Sequence, residues 1–107
     1  MCPALHSNDE DCGIAKALEV IGAKWTILIV RDLLEGPRRF GELQRSLGGI
    51  SPRTLALRLK ELEHDGILTR DCSGGEFHPL YGLTDEGRSL QDLLDRMREW
   101  GKATVRA

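Results

Sequence analysis

The sequence predicts an α+β fold of the winged helix-turn-helix kind, and three observations carry the prediction. Residues 40–66 hold two short helical patterns separated by a glycine pair. Directly after Gly66 the pattern changes to short β-type runs punctuated by turn residues. Amphipathic helical patterns flank both, one on the N-terminal and one on the C-terminal side.

Residues 1–11 read as a mobile, acidic arm, because Pro3 and the polar run HSNDED disfavour a helix start before Asp11. From Gly13 the spacing of Ala17, Leu18 and Ile21 predicts a helix with a packable side, and Gly22 predicts a bend or a close helix contact. A helical pattern resumes over 24–35, with Trp25, Leu28, Ile29, Asp32 and Leu33 as its core-facing set, and Gly36-Pro37 ends it. Trp25 is expected in the core, since an aromatic at helical spacing from leucines and isoleucines usually supplies buried area. This helix should form the floor under the helix-turn-helix.

The first helix of the motif should cover 41–47, placing Leu43 and Leu47 four apart on one face. Gly48-Gly49 stops it by admitting backbone angles that other residues resist. Ser51 can then accept an orphan backbone N–H, and Pro52 in the first helical position loses no hydrogen bond. In the second helix Leu55, Leu59 and Leu62 form the apolar stripe. At about 100° per residue they leave Arg53, Leu57, Lys60 and His64 on the opposite side, with Thr54 and Arg58 on the flanks. That outward face is the one that could read a groove.

After Gly66, ILTRD and HPLYGLT read as two short strands joined by a hairpin, with Pro79 expected to push its strand to a sheet edge. Ile67, Tyr81 and Leu83 can anchor this wing, and Ser73, Gly74 and Gly75 supply its tip. Thr84, followed by Asp85 and Glu86, predicts the start of one last helix with acids in its favourable first turn. Leu90, Leu93, Leu94, Met97 and Trp100 give that helix an apolar face. The expected organisation is thus an arm at 1–11, a single domain at 12–101 and a short, loose tail at 102–107.

A length of 107 residues accommodates one domain and leaves no room for a separate catalytic one. With 15 Lys and Arg against 17 Asp and Glu, the chain lacks a bulk basic signal for nucleic acid. The distribution is more informative. Residues 37–60 carry six basic side chains and one acid, for a net charge of +5, which leaves −7 on the remainder. No apolar run is long enough to cross a membrane, and the start MCPALHSNDED lacks the features of a secretory signal, so a cytoplasmic location is expected. Three cysteines, unevenly placed, do not make a disulfide framework. Cys2, His6, Cys12, Cys72 and His78 are metal-ligand types without a compact zinc spacing, and neither an acid–base pair nor a phosphate-binding glycine loop is present. No metal, cofactor or catalysis is expected.

Cys12, the run LEVIGAKWTILIVRDLLEGPRRFGELQRSLGGISPRTLALRLKELEHDGILTR and the later YGLTDEGRSL resemble the HxlR family of bacterial winged-helix transcription regulators, across nearly all of 12–100. The resemblance implies a homodimer whose N-terminal and C-terminal helices form the interface. It also implies that residues 51–65 enter the major groove of a double-stranded, palindromic operator, while the hairpin meets an adjacent backbone or minor groove. Cys12 falls at the position used as a thiol sensor by family members that respond to quinones, aldehydes or oxidants. The chain departs from the family at Gly13, where proline is usual, at Leu80, where a charge is frequent, and in a short wing lacking the common aromatic near Ser73.

The candidate base-reading residues are Arg53, Thr54 and Leu57, because Arg can bond guanine in pairs and Thr or Leu can contact a thymine methyl. Arg38, Arg39, Arg58, Lys60 and Arg70 are the phosphate candidates, with ordinary solvated side chains as the alternative for each. His64, at the far end of its helix, suits a surface or wing contact better than a base. Leu93, Met97 and Trp100 are expected to pack on a second copy, since a small domain has limited core to cover them. Cys12 as redox sensor stands beside an inert, packed cysteine. A helix start and Lys16 favour its thiolate, while Asp9, Glu10 and Asp11 oppose it. Cys72 on the wing is the competing thiol. A protein-interaction domain without specific DNA readout is the alternative for the chain as a whole.

Overall fold

A computed structural model describes residues 13–22, 24–75 and 77–104. The acidic arm expected at 1–11 and Cys12 lie outside them. The core is centred on one helix, α2 (Lys24–Leu34), whose Ile29, Val30 and Leu33 are buried. Its Trp25 and Leu28 are partly buried against the same core, and Lys24 Nζ sits 4.9 Å from the Trp25 ring centroid, so the tryptophan is a rim residue that holds a cation over its face. Asp32 is also buried. Its Oδ1 accepts from Arg31 Nε at 3.1 Å and lies 3.0 Å from the second guanidinium nitrogen, which offsets part of the desolvation of the carboxylate.

The helix-turn-helix lies across α2. Helix α3 (Phe40–Ser46) buries Leu43, and the turn after it places Gly49 at φ +93, a backbone region that disfavours side chains. Helix α4 (Pro52–His64) buries Leu55, Leu59 and Leu62 at 0–2% exposure. Burial of each such leucine contributes about 2 kcal/mol, so the expected stripe is the face that fixes α4 in place. Gly66, at φ +76, ends it, and the Ile67 N–H returns to the Leu62 carbonyl at 2.9 Å.

The sheet corrects one expectation and adds a strand. Strand β2 (Leu68–Asp71) and strand β3 (Leu80–Leu83) form the expected antiparallel hairpin, in the register Leu68↔Leu83 to Asp71↔Leu80. A two-residue strand β1 (Arg38–Arg39), between α2 and α3, pairs with the other side of β3, Arg38↔Tyr81 and Arg39↔Leu80. The order is β1-β3-β2, so β3 is central rather than at the edge. Pro79 directly precedes the first paired residue, so its missing N–H removes no rung and does not restrict the strand that follows. Ile67, Tyr81 and Leu83 are buried at 7–8% exposure, as anchors should be.

The expected single last helix is two. Thr84 caps α5 (Asp85–Arg88), and after Ser89 and Leu90 the chain restarts as α6 (Gln91–Thr104). The Ser89 hydroxyl donates to the Glu86 carbonyl, and the Leu90 N–H reaches the Gly87 carbonyl at 3.1 Å; these tighter bonds end α5 and re-aim the chain. Helix α6 continues three residues beyond the Gly101 boundary, so 102–104 are helical rather than part of a loose tail. Helix α1 (Gly13–Ile21) precedes Gly22 and buries none of its residues, leaving Ile14 65% and Leu18 55% exposed. Only Val20, partly buried, packs against the core, so most of the expected packable side stays uncovered in its own chain. No helix among the described residues is long and apolar enough to cross a membrane.

Candidate nucleic-acid interface

The recognition-helix candidate α4 is held at its start by a local network. Ser51 Oγ accepts the Thr54 N–H at 3.1 Å and donates to Thr54 Oγ1 at 2.9 Å, with Pro52 in the first helical turn. The cap supplies an acceptor for one of the orphan N–H donors of the helix start and fixes the rotamer of a base candidate. Arg53 beside it is exposed and, among the described residues, has no ion-pair partner. Leu57 is 50% exposed one turn further on, which leaves a large apolar side chain outside the core at the position expected to meet a thymine methyl.

The outward face of α4 is not open along its whole length. Leu57, Lys60 and His64 line a cleft of about 740 Å³ whose opposite wall includes Leu18 and Val20 of α1 and Thr26 of α2. Arg53 and Thr54 do not line it. The N-terminal turn of α4 therefore lies outside the cleft, whereas His64 lines it together with residues of α1.

The five phosphate candidates separate by their partners. Arg58 pairs with Glu61 at 2.6 Å. Arg38 lies 3.6 Å from Glu35 and donates to the Pro37 and Gly36 carbonyls at 3.1 and 3.3 Å, so it clamps the turn that brings β1 to the sheet. Arg39, Lys60 and Arg70 are exposed and free of ion pairs among the described residues, which leaves their charge available to a polyanion. The sheet register also divides them. Arg38, Tyr81 and Arg70 form one row, Arg39, Leu80 and Asp71 the next, and successive rows face opposite sides. The sheet thus does not gather Arg39 and Arg70 on one face.

At the wing the Asp71 carboxylate accepts the Ser73 N–H at 2.9 Å. This backbone bond, then the Ser73 hydroxyl, and more weakly Arg39, hold the Asp71 carboxyl below the usual carboxylate range, outweighing slight desolvation. The Gly75 N–H closes the tip on the Cys72 carbonyl at 2.9 Å, and Cys72 is a free, half-buried thiol. Burial pushes the Tyr81 hydroxyl above its ordinary value, with Arg70 opposing, so this ring behaves as an anchor that stays protonated. A residue that periodicity did not single out is Phe77, 89% exposed between the wing tip and β3. Its only signal in the sequence is its type, an aromatic among turn residues.

The helix-turn-helix, the three-stranded sheet and the flanking helices agree with a family model described as HxlR-like helix-turn-helix, which matches residues 20–107. The chain belongs to the HxlR-like family. Among curated relatives, the HTH-type transcriptional regulator YybR of Bacillus subtilis is 36% identical over 104 residues, covering 92% of this chain and 80% of YybR. Among solved structures, the redox regulator HypR in its reduced form superposes with a TM-score of 0.80 at 35% identity, over 86% of this chain and 92% of HypR. Quinone-bound YodB from B. subtilis gives 0.74 at 34% identity, over 84% and 96%. This HxlR-like chain is a helix-turn-helix transcriptional regulator by family, not an enzyme. Among its described residues no group of three metal-ligating side chains comes together.

Proposed function

We propose that this chain is a sequence-specific double-stranded DNA-binding transcription regulator that works as a homodimer on a palindromic operator. One observation carries the reading: the capped first turn of α4 presents Arg53 and Thr54 outward, clear of the cleft that occupies the rest of that face. Arg39, Lys60 and Arg70, which form no ion pair among the described residues, supply positive charge around it. Leu93, Met97 and Trp100, 40%, 47% and 64% exposed on α6, together with the uncovered α1, supply an apolar surface for a second copy. Cys12 is the proposed sensor, supported by its place just before α1 and by similarity to HypR, a redox regulator, and to YodB, which has been solved with bound quinone.

Selection of bound duplexes from a random pool, followed by salt titration of the winners, tests the core of the proposal. The expected outcome is an inverted repeat bound with a negative salt slope. A protein that enriches no sequence and ignores salt would instead be a protein-interaction domain on the same fold.

A further inference from the structure

Arg58 is a long cation on the flank of α4 that does not stand free. Thr54, Arg58 and Glu61 are spaced four and three residues apart, so they form one stripe along the helix with a base-reading candidate at its head. Arg58 Nη1 lies 2.6 Å from Glu61 Oε1, the shortest ion pair among the described residues. Its order is unusual. The other pairs there that span three or four residues within one helix, Asp85–Arg88, Asp92–Arg96 and Asp95–Arg98, all place the acid first, as the helix dipole favours; Arg58–Glu61 reverses it. Glu61 also lies in the last turn of α4, where a carboxylate meets the negative end of the dipole. A half-exposed pair adds little to stability in any case. Nor does its geometry satisfy the arginine, whose Nε is buried without an acceptor. Both side chains line the cleft beside α1, so the guanidinium is drawn into that cleft.

We propose that Glu61 is a specificity-determining residue: it withholds Arg58 from the DNA backbone, so that α4 meets a duplex with one cation fewer. The proposal rests on the DNA-binding reading above and deepens it. Phosphates are the same in every sequence, so a long, free cation beside a groove finds one in any register and adds affinity for all duplexes. On an operator the base contacts fix where α4 lies, and with it the phosphates within reach of Arg58. A random duplex imposes no such register. A released Arg58 therefore helps random DNA more than operator, and the bond to Glu61 keeps the gap between them wide. Once that carboxylate is gone, no other acceptor among the described residues holds the guanidinium, and leaving the cleft lets Nε be solvated.

The test is a set of salt titrations of full-length wild type, Glu61→Ala, Arg58→Ala and the double variant, on the selected operator and on random duplex. Glu61→Ala should bind random duplex about fivefold more tightly near ~0.15 M salt for each protomer engaged, and steepen its salt slope by about one phosphate contact per protomer. The operator should gain less, so the affinity gap narrows. In the Arg58→Ala background the same change should add nothing, which assigns the gain to Arg58. An equal gain with and without Arg58 means plain repulsion by the Glu61 carboxylate and overturns the proposal. An operator gain as large as the random one overturns it too, as does an unchanged slope in Glu61→Ala. A lowered urea midpoint with unchanged binding would make the pair structural, with the same consequence. In each of these cases operator selection by the wild type survives and only the role of Glu61 falls. A wild type that binds no duplex removes the DNA-binding reading as well.

Discussion

Ser51 and Thr54 are joined by two hydrogen bonds, backbone N–H to Oγ at 3.1 Å and hydroxyl to hydroxyl at 2.9 Å, so the helix cap and a base-reading candidate are one unit. Ser51→Ala should lower stability by about 1 kcal/mol and free the Thr54 rotamer. Urea unfolding would report the first effect, and a drop in operator affinity larger than that for random duplex would report the second. Unchanged specificity would separate Thr54 from base reading.

Arg53 and Lys60 differ in setting, one beyond the cleft and one lining it, and should differ in effect. Arg53→Ala should narrow the affinity gap between operator and random duplex. Lys60→Ala should weaken both and reduce the salt slope by about one phosphate contact per protomer. Salt titrations of each variant on both duplexes check this; an unchanged slope in Lys60→Ala would remove that contact.

Gly87 should not tolerate a side chain. A Cβ there would lie 2.2 Å from the Ile67 carbonyl oxygen and 2.9 Å from Leu83 Cδ2. The site is also pinned by Thr84, whose hydroxyl lies 2.6 Å from the Gly66 carbonyl and 3.0 Å from that of Ile67, and accepts the Gly87 N–H at 3.1 Å. Gly87→Ala should cost about 1–3 kcal/mol through overpacking, measured as a lower urea midpoint. Gly101→Ala, with open space around it, serves as the control and should be near neutral or slightly stabilising.

Trp100→Asp should dissociate the proposed dimer, because α6 buries only Leu94 in its own chain and the tryptophan side chain stands largely in solvent. Light scattering over micromolar concentrations should give twice the chain mass for wild type and the chain mass for the variant. A monomeric wild type, with and without operator, would refute the dimer.

Cys12→Ser should abolish the loss of DNA binding expected after mild diamide or quinone treatment, whereas Cys72→Ser should leave that loss intact. Mass spectrometry of the treated wild type identifies the modified thiol. A full response in Cys12→Ser would exclude it as the required sensor, and loss of response only in Cys72→Ser would move the switch to the wing.

What could be read from the chain depended on whether a pattern repeats. Leu55, Leu59 and Leu62 recur at helical spacing and sit behind a Ser-Pro start, so α4, its cap and its buried face were all legible. Strand β1 is two residues long and exists only because β3 offers it a partner, so no local period could announce it. The break at Ser89-Leu90 contains neither glycine nor proline; the bonds from the Ser89 hydroxyl and the Leu90 N–H to the Glu86 and Gly87 carbonyls make it, and no periodicity announces them. The apolar side of α1 is plain in the sequence, but periodicity does not say which surface that side meets. The cleft beside Leu57 and His64 and the setting of Phe77 depend on segments distant in sequence, which is why the extent of the free reading face was not foreseen.

The two hydrogen-bonded residues of β1 have a mechanical meaning. Because Arg38 and Arg39 pair with Tyr81 and Leu80 immediately before α3 begins, the wing and the first helix of the motif are welded to the same central strand. Neither can swing without carrying the other, and α4 is keyed to both through the common core. A signal arriving at the flanking helices would then have little means of reshaping either reading unit. In the proposed dimer, what it could alter is the gauge of the pair, the distance and tilt between two stiff heads, and a helical repeat of DNA is an unforgiving ruler for such a change.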